Sequence, residues 1–313
     1  MIGGGLVLTS TLSAFAESQA YDDPDALYAL LKSKRPYPLT IAGGRIDLLF
    51  AGGPLPANRP EILSWIQRSA IAVSTYFGRY PVAEHGLIVI PQAGNDVGHA
   101  TTYGYDGALT RIHVGVDADR QHFLKDWVLV HEMVHTALPD LPRRALWMQE
   151  GNATYVEPIA RAEASQLPSD EVWREALIGM PHGQAAAGAG GMDGTRDHDR
   201  LYWGGAAFWL LAEIELYEKT SGRRTLRDGL RAVNRASGGN IVTWEPERLI
   251  QVTESVGATT ALSALYRRFA ETDVTLDLDE IFGRLGLRLG PGGAVVVSDQ
   301  APLAGLRKRI TAR

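Results

Sequence analysis

The run His131-Glu132-Met133-Val134-His135, followed by Trp147-Met148-Gln149-Glu150-Gly151, decides how the rest of the chain is read. On a helix, residues four apart lie on one face, so His131 and His135 present two imidazoles to the same point. A catalytic zinc ion takes three protein ligands and leaves a fourth position to water. Glu150, offered by a second helix, is the natural third ligand. Glu132 sits beside the first histidine but outside the ligand set, where its carboxylate serves as general base. The cofactor this implies is one zinc ion (Zn2+) per chain.

The flanking residues separate this reading from two structural histidines and a solvated glutamate. Phe123 to Val130 is apolar at helical spacing, and Pro139 and Pro142 close the segment, which puts the motif on a buried helix. Trp147, Glu150 and Thr154 share one face of the next helix, and a buried glutamate needs a partner. Thr154, or Asn152 in its place, is positioned to orient a ligand histidine.

HEMVH with WMQEGNATYVE resembles the gluzincins, the zinc metallopeptidases of the peptidase MA clan that include the alanyl and glycyl aminopeptidases. A third stretch, Tyr202-Trp203-Gly204-Gly205-Ala206, is similar to their YxKGA segment, whose tyrosine donates to the oxyanion of the tetrahedral intermediate. The resemblance covers roughly residues 60 to 270. It implies a thermolysin-like zincin domain of the α+β class, a mixed α/β lobe followed by a mostly helical lobe, with Tyr202 as oxyanion donor. The departures are Gly204 in place of the lysine and a gap of 14 residues between His135 and Glu150, shorter than in the large aminopeptidases. No GxMEN-like strand precedes the motif, so the glutamate that holds a substrate's free amine is missing. Asp106 is the candidate substitute.

Composition fits a soluble enzyme: 313 residues, 45% hydrophobic and 21% charged, enough for one or two substantial cores. A net charge of -5 and a pI near 5.9 argue against a nucleic-acid partner. No run of about 18 apolar residues predicts a spanning helix. Leu6 to Ala16 reads as a secretory signal ending in Ala14-Phe15-Ala16, although no Lys or Arg precedes Lys32. The expected location is secreted or periplasmic. A start placed too far downstream, a disordered N-terminus and a cytoplasmic protein are the alternatives. The absence of cysteine excludes thiol nucleophiles and thiolate ligands.

Three regions are expected: 1–20 as signal or disordered N-terminus, 21–160 as the α/β lobe with both metal helices, and 161–313 as the helical lobe with Tyr202. Within the first lobe the pattern predicts a helix over 25–34, strands over 38–41, 45–50, 86–90 and 110–116, and a helix from Pro60 to Phe77 stopped by Gly78. Residues 97–107 are placed as an edge strand able to pair with an extended peptide. Helices follow over 170–178, 206–219, 225–236, 246–256, 259–271 and 278–285. Residues 181–194, rich in glycine, read as a flexible stretch between the lobes, either a surface loop or a flap over the cleft. Val295 to Val297 reads as an added edge strand and Arg307-Lys308-Arg309 as a terminal basic stretch.

His99, His113, His182 and His198 are secondary candidates beside the cleft, more often structural in such settings. Trp203, Phe208 and Trp209 are expected in the core. The function these residues imply is peptide-bond hydrolysis on peptide or unfolded-protein substrates. The alternatives are a zinc-binding pseudopeptidase that holds peptides without cleaving them, and a structural domain with a fortuitous motif. Oligomeric state is not encoded in any pattern found.

Overall fold

The computed structural model describes residues 21–52, 57–186 and 188–312. The signal-like segment 6–16 lies outside them. A five-stranded sheet is built from β1 (Tyr37–Ile41), β2 (Gly44–Phe50), β3 (Glu84–Gln92), β4 (Val97–Tyr103) and β5 (Ala108–Gly115), in the order β1-β2-β3-β5-β4. β1 and β2 form an antiparallel hairpin, β2, β3 and β5 run parallel, and β4 returns antiparallel along one edge. The hairpin turns at Ala42 and Gly43, both at positive φ, as a tight two-residue turn requires. The register of β4 on β5 shifts between Val97 and Ala100.

Strand alternation divides the sheet's two faces. Leu87, Val89, Ile112 and Val114 join the main core, whereas Ile88, Ile90 and Leu109 pack with Leu27 and Tyr28 of α1 (Pro24–Ser33) in a small second core. The main face carries α2 (Arg59–Phe77), whose Ile62, Trp65, Ile66, Ala70, Val73 and Phe77 are all buried. Pro60 opens this helix, and Gly78, at φ 79°, closes it.

The apolar stretch before the HExxH motif is not one helix. α3 (Arg120–Lys125) ends at Asp126, and α4 (Val128–His135) starts afresh after Trp127. Asp126 is extended, and its carboxylate accepts from the N–H groups of Val128 and Leu129 and from Trp65 Nε1. A side chain that caps the second helix competes with continuation of the first. α4 then lies between α2 and the β4 edge.

A central helix, α5 (Leu146–Glu163), packs on α2 and α4 and runs through the 160/161 division drawn from the sequence. The remainder is mostly helical: α6 (Ser169–Gly179), α7 (Gly205–Lys219), α8 (Leu226–Ser237), α9 (Pro246–Ser255), α10 (Ala261–Glu271) and α11 (Leu278–Leu285). One hydrophobic core runs continuously from Leu39 to Ile310 through both sheet and helices. Phe208 and Trp209 are fully buried in it, as expected.

Two expectations for the later chain need correction. The glycine-rich stretch is tied down: Met192 is buried, the N–H groups of Met192 and Asp193 donate to Phe269 and Ala270 of α10, and Arg200 donates to the carbonyls of Gly190 and Gly191. Val295–Val297 (β7) is a strand but pairs with Leu287–Leu289 (β6) in a separate two-stranded sheet, the chain turning between them at Gly292 and Gly293, both at positive φ. The basic stretch lies on a helix, α12 (Ala304–Ile310). Its Arg307 is buried and donates to the carbonyls of Leu285 and Ser298.

α5 and α7 cross at two glycines. A Cβ added to Gly151 would lie 2.3 Å from the Gly205 backbone, and one added to Gly205 would lie 2.2 Å from the Trp147 carbonyl. Gly151→Ala raises helix propensity by ~1 kcal/mol, but overpacking typically costs ~1–3 kcal/mol and more where backbones must part. The urea midpoint of Gly151→Ala is therefore expected to fall, and a midpoint at or above wild type would show that the crossing yields.

Candidate active site

The three residues expected to bind metal converge. His131 and His135 stand one turn apart on α4, and Glu150 faces them from the second turn of α5. Glu150 Oε2 lies 3.3 Å from His131 Nε2 and 3.5 Å from His135 Nε2, and the three ligand atoms fall within 4.8 Å of one another. Ligands held at about 2.0–2.1 Å around a tetrahedral ion are spaced about 3.3–3.4 Å apart, so two of the three edges already fit zinc. The donor set, two imidazole nitrogens and one carboxylate oxygen, is chemically suited to that ion.

The electrostatics of the cluster are those of a shared ion pair. Burial opposes a charged His135, but the adjacent Glu150 carboxylate overcomes it and raises the imidazole to about 9. Glu150 is itself penalised by burial, yet the His135 charge and hydrogen bonds from both histidines hold it well below the usual carboxylate range. In His131 burial prevails and lowers the pKa. A divalent cation at this point takes over the neutralising role of the proton.

Glu132 is buried at 8% exposure, and its Oε2 accepts a 2.7 Å hydrogen bond from Thr102 of β4. Tyr202 enters from a π-helical turn, Arg200–Gly204, that leads into α7. Its ring stacks between His131, at 5.6 Å, and His198, at 4.4 Å. Burial, reinforced by the charge of Glu150, raises the phenol's pKa and keeps it a donor. Single π turns recur where a side chain must be redirected toward a site.

Two cavities meet at Tyr202. One, of about 420 Å³, runs along the β4 rim from His99 to Tyr105 and is lined by Glu132, His135, Glu150 and Tyr202. The other, of about 550 Å³, is lined by His131, Tyr202, Trp127 and Trp203. A groove of about 580 Å³ between α6, α11 and the β6–β7 ribbon lies apart from this chemistry.

Comparison with solved structures adds a scaffold. The chain is similar to an aminopeptidase N family protein from Idiomarina loihiensis, with a TM-score of 0.59 and 11% identity over 85% of this chain and 52% of that one. It is also similar to a variant of the M1 zinc metallopeptidase from Deinococcus radiodurans, with a TM-score of 0.50 and 16% identity over 78% of this chain and 53% of that one. The mixed α/β fold, a five-stranded sheet with helices, resembles these M1-type peptidase domains. The chain spans about half the length of these structures. No protein-family model matches the sequence, and no curated protein does.

Some of the secondary candidates line the cleft, and others do not. Asp106 lies outside the cleft, bound to exposed Lys32. Thr154 donates to the Glu150 carbonyl of its own helix and does not orient a histidine. His113 bonds the His99 carbonyl, while His99 itself lines the rim cavity. His182 and His198 line the second cavity, as does Trp203, which is only half-buried against the core. Asp140, Gln149 and Asn240 line the rim cavity and carried no signal in the sequence. Their loops are tied to the site by Gln149 donating to Asp140 and Asn240 donating to the Tyr103 carbonyl. No helix among the described residues is long and apolar enough to cross a membrane.

Glu150→Ala removes one of three donors and the carboxylate in contact with both histidines. Zinc stoichiometry after dialysis, measured by atomic emission, is expected to fall from near one per chain to a small fraction. Full retention would place the ion elsewhere.

Proposed function

We propose that the protein is a zinc-dependent metallopeptidase of gluzincin type, built on a thermolysin-like arrangement of two metal helices under the edge of a sheet. The reading is carried by the convergence of His131 Nε2, His135 Nε2 and Glu150 Oε2 at spacings suited to zinc, with Glu132 and Tyr202 facing the same cleft. A zinc ion held by His131, His135 and Glu150 would supply a Lewis acid able to make water nucleophilic near neutral pH.

The chain's own residues do the rest. Glu132 takes the proton from the attacking water and delivers it to the leaving amine. Tyr202 donates its phenolic hydrogen to the oxyanion that develops on the scissile carbonyl. The β4 rim offers backbone groups to an extended peptide, which supports peptides or unfolded segments as substrates. The aromatic walls of the second cavity suit a large apolar side chain of such a substrate. A module that only holds peptides has no need of a general base, which weighs against the pseudopeptidase reading.

Cleavage of a mixed peptide library, followed by mass spectrometry, tests the proposal with zinc-loaded wild type and Glu132→Gln side by side. Wild type is expected to cut and Glu132→Gln to be slower by roughly a hundredfold to ten-thousandfold, the range for a lost general base. Equal cleavage by both, or none by either, would sink it. Tyr202→Phe is expected to lower turnover by roughly a hundredfold to a thousandfold with zinc content unchanged. An unchanged rate would remove Tyr202 from the mechanism.

A further inference from the structure

The sheet face beneath α4 carries a line of polar side chains through an otherwise apolar core. Tyr80 Oη and His85 Nδ1 are 2.6 Å apart, and His85 Nε2 and Thr110 Oγ1 are 2.9 Å apart. The hydroxyls of Thr110 and Thr102, directly opposite each other on β5 and β4, are 2.7 Å apart. Thr102 Oγ1 is 2.7 Å from Glu132 Oε2 and 3.1 Å from the Glu132 carbonyl. His85 and Thr110 are wholly buried, and Tyr80 nearly so. The line crosses the sheet from the start of β3 through β5 and β4 and ends on one carboxylate.

The direction of the line follows from its end. A carboxylate acting as a base only accepts hydrogen bonds. Thr102 must give its single proton to Glu132, which leaves its oxygen to accept from Thr110. Thr110 then accepts from His85, whose proton must sit on Nε2, and His85 Nδ1 accepts from the Tyr80 hydroxyl. Burial lowers the His85 pKa to about 3 and raises that of Tyr80, so the imidazole carries one proton and the phenol keeps its own. Reversal would require the Tyr80 hydrogen to find another acceptor inside the core, and among the described residues none is recorded within reach.

We propose that Tyr80, His85, Thr110 and Thr102 form a one-way hydrogen-bond chain that positions Glu132, pinning Oε2 against the sheet and leaving Oε1 for the water in the cleft. The assignment rests on the reading of Glu132 as general base. All four are positioning residues. Tyr80, His85 and Thr110 do not line the cleft, and Thr102 acts through Glu132.

Two measurements test the chain, one of them independent of turnover. Nitrogen NMR of the zinc-loaded protein is expected to show His85 protonated on Nε2. In turnover, Thr102→Val and Thr110→Val are expected to lower kcat by about tenfold to a hundredfold, the range for a misplaced reacting group, with KM and zinc stoichiometry unchanged. Thr102→Ser, which keeps the hydroxyl, is expected to restore kcat. A wild-type His85 protonated on Nδ1, or undiminished kcat in both valine variants, overturns the proposal. A wild type that cleaves nothing defeats the peptidase reading instead, and the His85 tautomer still decides whether the chain exists.

Discussion

The crossing of α5 and α7 at Gly151 and Gly205 is the constraint on which the site depends. Glu150 precedes the first glycine, and Tyr202 lies one helical turn before the second. With any side chain at the crossing the two helices stand further apart, and the carboxylate and the phenol no longer meet over α4. The interaxial distance set by two missing Cβ atoms thus fixes the distance between the Glu150 carboxylate and the Tyr202 phenol. The π-helical turn adds the remaining adjustment, swinging Tyr202 onto the His131 ring.

Glu150 supplies the electrostatic half of the same design. A buried carboxylate is costly alone, but between two imidazoles it becomes the acceptor of both. The cluster's three donor atoms stand within 4.8 Å of one another, held by two helices. Its supports are spread widely: Asp126 caps α4, Asn240 holds the end of β4, and Asn234 of α8 donates to the Ala137 and Pro81 carbonyls. The helical part of the chain is therefore a brace for the sheet edge as well as a wall of the cleft.

Much of this was legible in the residues. The i,i+4 histidines, Glu150 and Tyr202 were readable because each is tied to a local pattern: helical spacing, an apolar run or a glycine pair. Strand positions followed from apolar runs, and α2 from its proline start and glycine stop. The break at Asp126 was hidden because the apolar spacing continues through it, while the capping bond depends on Trp65, far away in sequence. Asp140, Asn240 and Thr102 were hidden for a related reason. They reach the cleft through loop closure and strand register, which no local periodicity encodes. The β6–β7 ribbon escaped because its partner strand is only three residues long.

The register shift on β4 bears on the size of what the rim can hold. An exposed strand edge invites any extended chain, including another copy of the same protein, and long flat edges lead to aggregation. Here the outer half of the strand departs from regular pairing, which leaves Ala100 to Tyr103 as the regular stretch beside Glu132. Four residues of regular strand are too few to template a sheet. The irregularity that weakens the strand thus guards its edge against pairing with another copy of the chain.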